Sequence, residues 1–161
     1  MSRMFWTALA VAGAVLVETA LGYLVPAPGR YLDPFLLVAV YCALVGGETY
    51  GMLAGALTGW VQDALFGGRV LGISALSKLL VGFAVGLGAR RFLIAGVAAR
   101  TLVVLLATVA DALAVQWLAS IFALEAAGLT PLALASRGTL NALVGGLLFA
   151  LVDRQRERFA R

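Results

Sequence analysis

Met4–Val25 reads MFWTALAVAGAVLVETALGYLV. These 22 residues hold one ionisable group, Glu18. A bilayer's hydrocarbon core needs roughly 20 consecutive apolar residues of helix, and this run supplies them. Trp6 and Tyr23 stand near its two ends, 17 residues apart, or about 26 Å of helix. That is close to the ~30 Å core, and both rings favour the membrane interface. The run exceeds the roughly 7–15 residues of a signal-peptide core, and no small-x-small cleavage site follows it. It is therefore expected to stay as a spanning helix.

The rest of the chain repeats the pattern. Of 161 residues, 63% are hydrophobic and 12% charged, with mean hydropathy +1.02. A soluble domain carries about 25% charged residues, so lipid has to be the solvent for most of this surface. The breaks between apolar runs predict five further spans: Asp33–Val45, Thr49–Phe66, Leu71–Ala89, a long one starting between Phe92 and Thr101 and ending near Phe122, and Pro131–Val152. The second is short enough to be re-entrant, and Phe92–Ala99 is a candidate for an interfacial segment. Asp33 and Pro34 form an N-cap and first-position pair. Pro26-Ala27-Pro28-Gly29-Arg30, Gly46-Gly47-Glu48 and Gly67-Gly68-Arg69 are the punctuation. The fold class expected is an all-α polytopic bundle of about six transmembrane helices, one domain, with a short arginine-rich tail from Asp153 to Arg161.

With six spans, Arg3, Arg90, Arg91, Arg100, Arg154, Arg156, Arg158 and Arg161 share one side, and Arg30, Arg69 and Arg137 the other. Eight against three places both termini in the cytoplasm. Arg90, Arg91, Arg154, Arg156 and Arg158 then form a cytoplasmic basic anchor. It suits anionic membrane lipid and has none of the base-reading side chains that nucleic-acid binding needs.

Enzymatic chemistry finds little support. The chain has no histidine and one cysteine, Cys42, in an apolar run, so neither a zinc site nor an internal disulfide is expected. No cofactor motif is present. Ser74 and Lys78 lie one helical turn apart, but a membrane serine commonly bonds its own helix backbone.

Two patterns carry more. Gly51, Gly55 and Gly59, with Asp63, recur every four residues on one face of the third span, making a groove that a neighbouring backbone can enter. The occupant is either another span of the chain or a partner's helix; Gly82 and Gly86 repeat the spacing in the fourth. The second pattern is a set of polar groups inside the spans: Glu18, Asp63, Lys78, Asp111, Arg137 and Asn141. Each charge costs roughly 2.5–3.5 kcal/mol at a helix centre, so each needs a partner or a cavity. Helix rise places Glu18, Asp63, Lys78 and Arg137 about 6–11 Å inside the outer face and Asp111 and Asn141 nearer the midplane. Mutual pairing, an outward-facing pocket and a proton relay are all compatible with that placement.

Asp33-Pro34-Phe35-Leu36-Leu37, the glycine ladder ending in Gln62-Asp63, then Leu65, Gly67-Gly68, Leu71-Gly72, Ala75-Leu76, Gly82 and Gly86 together resemble the rod shape-determining MreD family. The resemblance is best from Asp33 to Gly88; Lys78 departs from it, since a neutral or aromatic residue is expected there. It implies a non-enzymatic inner-membrane scaffold of bacterial cell elongation, partnering an MreC-like single-span protein and, through it, RodA with its transpeptidase and MreB. The family's fold is thought similar to the S components of energy-coupling-factor vitamin transporters, which makes a substrate-binding S component the alternative.

Overall fold

The computed structural model describes residues 3–24, 31–66, 72–92, 94, 96–123 and 130–159, with side-chain surroundings defined except at 3, 153 and 155–159. Six helices follow one another: α1 (Arg3–Leu24), α2 (Pro34–Gly46), α3 (Glu48–Phe66), α4 (Ile73–Arg91), α5 (Val97–Ile121) and α6 (Pro131–Phe159). Four contain stretches long and apolar enough to cross a membrane: Met4–Leu24, Ile73–Arg91, Val97–Ile121 and Pro131–Val152. The molecule is an all-α polytopic bundle. The breaks expected at residues 26–30 and 67–69 lie outside the described residues.

α2 is the axis of the bundle. Its sequence, PFLLVAVYCALVG, is apolar on every side, which suits lipid or a protein interior equally; here the other helices cover it. It touches all five other helices, and Phe35, Leu36, Ala39, Val40 and Ala43 are fully or almost fully buried. Leu36, Leu37 and Val40 join Val81 of α4, Val104 and Ala107 of α5 and Phe149 of α6 in the apolar core. The expected start is observed: Asp33 Oδ1 accepts the Leu36 N–H at 2.9 Å, with Pro34 in the first turn. At its other end Gly47 turns the chain directly into α3 with φ +81°, a backbone state that a side chain rarely tolerates. With 13 residues, α2 is only about 20 Å long.

α3 and α4 make the tightest pair. A Cβ on Gly51 would strike Gly82 O and come within 2.5 Å of Ala43 Cβ. One on Gly55 would strike the Lys78 carbonyl, and one on Gly59 would lie 2.5 Å from Ala75 Cα. Gly82 meets Gly51 in return, and Gly86 meets the backbone of Glu48. The groove is thus filled along its length by α4 of the same chain. This corrects the expectation that Gly51, Gly55 and Gly59 receive a partner's helix: no open groove remains at those positions. The glycine excess is not all packing, since Gly13, Gly22 and Gly88 have open space where a Cβ would stand.

α5 starts at Val97, inside the range expected for the fifth span, with Gly96 at φ +88° before it and Phe92 extended at the end of α4, and the apolar stretch Pro131–Val152 matches the expected sixth span. α6 runs on to Phe159, so most of the charged tail is helix, as its arginines, Gln155 and Glu157 favour. α1 packs against α2 and, more briefly, α3, and leaves Phe5, Trp6, Leu9 and Leu16 exposed.

Candidate functional site: a buried ionic cluster

The interior holds four charges of two signs. Lys78 of α4 places Nζ 2.8 Å from Asp33 Oδ2 and 3.6 Å from Asp111 Oδ2. Arg137 of α6 places Nη2 2.7 Å from the same Asp33 oxygen and 3.3 Å from the same Asp111 oxygen. The two carboxylates are fully buried, and the Lys78 side chain is 2% exposed. The quartet is formally neutral, which is how charges survive away from water.

Each member is fixed by its own helix. Gly55 lets the α4 backbone approach at Lys78, and the lysine's long arm then reaches the α2 N-terminus. Ser77 Oγ donates to Asp111 Oδ1 at 2.7 Å, which occupies the oxygen the cations do not use. Asn141 accepts the Asp33 N–H at 2.9 Å and donates to Thr108 Oγ1 at 3.1 Å. Every helix from α2 to α6 except α3 contributes a polar side chain.

Four expected cluster residues, Lys78, Asp111, Arg137 and Asn141, are therefore brought together. Asp111 joins despite its greater expected depth because the lysine and arginine arms bridge the difference. Asp63 does not join. Its Oδ2 accepts backbone N–H groups of Gly72, Ser74 and Ala75 at 2.8, 3.1 and 3.4 Å. Gly72, the N-cap of α4, has no side chain to offer, so α3 supplies the cap from outside the helix. Mutual pairing, one of the three readings of the intramembrane polar groups, therefore does not extend to Asp63.

Asp33 is the member that sequence reasoning assigned to capping alone. It does both jobs, with Oδ1 on the helix and Oδ2 on the two cations. The available signal was length: a helix of about 20 Å cannot reach both faces of a ~30 Å core, so a polar group at its start can lie inside.

Glu18 of α1 is buried, at 4% exposure, within electrostatic range of Asp33, Lys78 and Arg137. Its Oε2 and the Arg137 Nε have no hydrogen-bond partner among the described residues. The cluster thus carries one carboxylate beyond its two matched pairs.

At the opposite end of the bundle Arg90 Nη1 meets Glu48 Oε1 at 2.6 Å, tying α4 to the start of α3. Arg91 and Arg154 are exposed; the Arg156 and Arg158 side chains lie outside the described ones. Among the described residues no three His, Cys, Asp or Glu side chains are grouped to hold a metal ion. Lys78, the basic half of the Ser74–Lys78 pair read from the sequence, has its ammonium on the Asp33 and Asp111 carboxylates.

A scan against protein-family models found no match, and neither the search of curated proteins nor that of solved structures returned one.

Proposed function

We propose that this chain is a six-span, non-enzymatic scaffold of the bacterial inner membrane, with both termini cytoplasmic, working in cell elongation alongside an MreC-like single-span partner. The observation that carries the reading is the mutual ion pairing of the four charges at the centre of the polar interior. Asp33, Asp111, Lys78 and Arg137 satisfy one another, and the outward surface is apolar helix, with Leu53, Leu57 and Trp60 on α3 and Leu106, Leu113 and Trp117 on α5 exposed. Side chains spent on internal cohesion suit a protein that presents helix faces to neighbours. The resemblance over Asp33–Gly88 supplies the pathway. RodA, its transpeptidase and MreB enter as associates of that partner, and the arginines of the basic end face anionic lipid.

A partner helix on this reading docks on an outer face, because α4 fills the glycine ladder. The S-component alternative draws on the unpartnered Glu18 Oε2 and Arg137 Nε; against it, all four charges of the quartet are engaged with one another in ion pairs.

Affinity purification from the native host in a mild detergent, with identification of co-purifying proteins, separates the two. Recovery of elongation proteins is the expected result. Recovery of ATPase transport subunits instead would assign the chain to a transporter.

A further inference from the structure

α1 is the least enclosed of the four long apolar helices. Of its spanning window 17% is buried, against 28%, 39% and 33% in α4, α5 and α6. Its buried face is a single stripe, Thr7, Val11, Ala14 and Glu18, at the four- and three-residue spacing of one helix side. α1 packs on α2 and, more briefly, on α3. Apolar packing between spans gains little from the hydrophobic effect, because lipid is as apolar as the neighbouring helix. The two polar ends of the stripe therefore decide how firmly α1 is seated.

Those ends differ. At the basic end Thr7 Oγ1 hydrogen-bonds the Tyr50 hydroxyl of α3 and lies 4.0 Å from Cys42 Sγ on α2. At the cluster end Glu18 is buried, and its Oε2 has no hydrogen-bond partner among the described residues. The quartet does not engage it, since the ion-paired nitrogens of Lys78 and Arg137 are on Asp33 and Asp111. A buried acceptor without a donor works against the contact that buries it, and a carboxylate more so than a neutral group. Val11 and Ala14 alone lie between the two on the stripe.

We propose that α1 is a hinged cover, tied at Thr7 and poised to swing away from the ionic cluster at Glu18. Glu18 stands 11 residues beyond Thr7, about 16 Å along the helix. A tilt of about 20°, ordinary for a spanning helix, displaces it by about 6 Å. The swing lets water follow the carboxylate and uncovers the α1 side of the cluster, where Glu18 is within electrostatic range of Asp33, Lys78 and Arg137. The hinge is the same for either orientation of the chain in the membrane.

The test places nitroxide labels on cysteine pairs of the full chain in nanodiscs, in a Cys42→Ala background, and reads distances by pulsed electron paramagnetic resonance. Ala20→Cys with Ala135→Cys spans α1 and α6 at the cluster end, and Ala8→Cys with Ala150→Cys does so at the basic end; all four alanines are exposed. The cluster-end pair should show two distances, seated and swung out, and the basic-end pair one. Glu18→Met should lower the ratio of swung-out to seated helix about fivefold or more, as removal of an unsatisfied buried group shifts an equilibrium. Thr7→Val, which removes the tie, should add a second distance at the basic end. One distance at both ends of the wild type, or two at both, overturns the hinge. An unchanged ratio in Glu18→Met also overturns it, because the unpartnered carboxylate is then not what loosens the seat. The measurement needs no elongation partner, so its failure and that of the proposed function are read separately.

Discussion

Lys78 is among the largest fully buried side chains of the molecule, and its removal leaves two carboxylates sharing one arginine. Breaking a buried pair from one side costs about 3–5 kcal/mol. Lys78→Met should lose stability in that range, measured as thermal unfolding in detergent, and adding Asp33→Asn should recover part of it, since Asn still caps a helix. A loss under about 1 kcal/mol would mean the pair is solvated after all. Asp63→Ala should behave differently. It removes an acceptor from three backbone donors and should cost about 0.5–2 kcal/mol, as caps do, with no rescue by a neutral residue at 78. Glu18→Met removes both the charge and the carboxylate oxygen that has no hydrogen-bonding partner, so stability should rise by about 1–3 kcal/mol, the usual penalty of an unsatisfied buried group. A fall would show that the Glu18 charge is matched by the cluster cations. The residue types of the cluster are legible in the sequence, because a charge inside an apolar run needs a partner or a cavity. Partners are not: spacing along one helix says nothing about its rotation against the next, so neither the place of Asp63 at the start of α4 nor the second role of Asp33 can be read from it.

Helix α2 shows what element-scale reading captures. Its Asp-Pro start and Gly-Gly end are local chemistry, and both are observed. Its central position suits an apolar surface all round and is visible only once the other five helices are counted. The glycine ladder was legible as a packing surface; its occupant was not, although Gly82 and Gly86 on the next helix hinted at it. Since Gly55 lies against the Lys78 carbonyl, Gly55→Leu should separate α3 from α4 and lift Lys78 off its carboxylates. The expected outcome is a large loss of thermal stability in the isolated protein, well beyond the roughly 0.8 kcal/mol by which leucine improves helix propensity over glycine. A Gly55→Leu protein as stable as the wild type, lacking only its partner, would return the ladder to intermolecular use.

At the scale of the whole molecule, the ionic cluster lies at the start of the short helix α2, and the Arg90–Glu48 pair lies beyond its other end. Thr7 of α1 hydrogen-bonds Tyr50 at the start of α3, and Arg100 at the start of α5 stacks on Phe149 late in α6. The N-terminus of α1 and the C-terminal half of α6 thus share the basic end. That arrangement fits an even number of crossings, which is the central claim: six spans, both termini cytoplasmic, with the charged quartet toward the outer face. The arginine distribution points the same way, because the positive-inside bias acts on sequence alone. Cysteine labelling with a membrane-impermeant reagent in intact cells, on single-cysteine variants in a Cys42→Ala background, tests it most directly. Arg69→Cys should be labelled from outside and Arg156→Cys only after lysis. Labelling of Arg156→Cys in intact cells would contradict it.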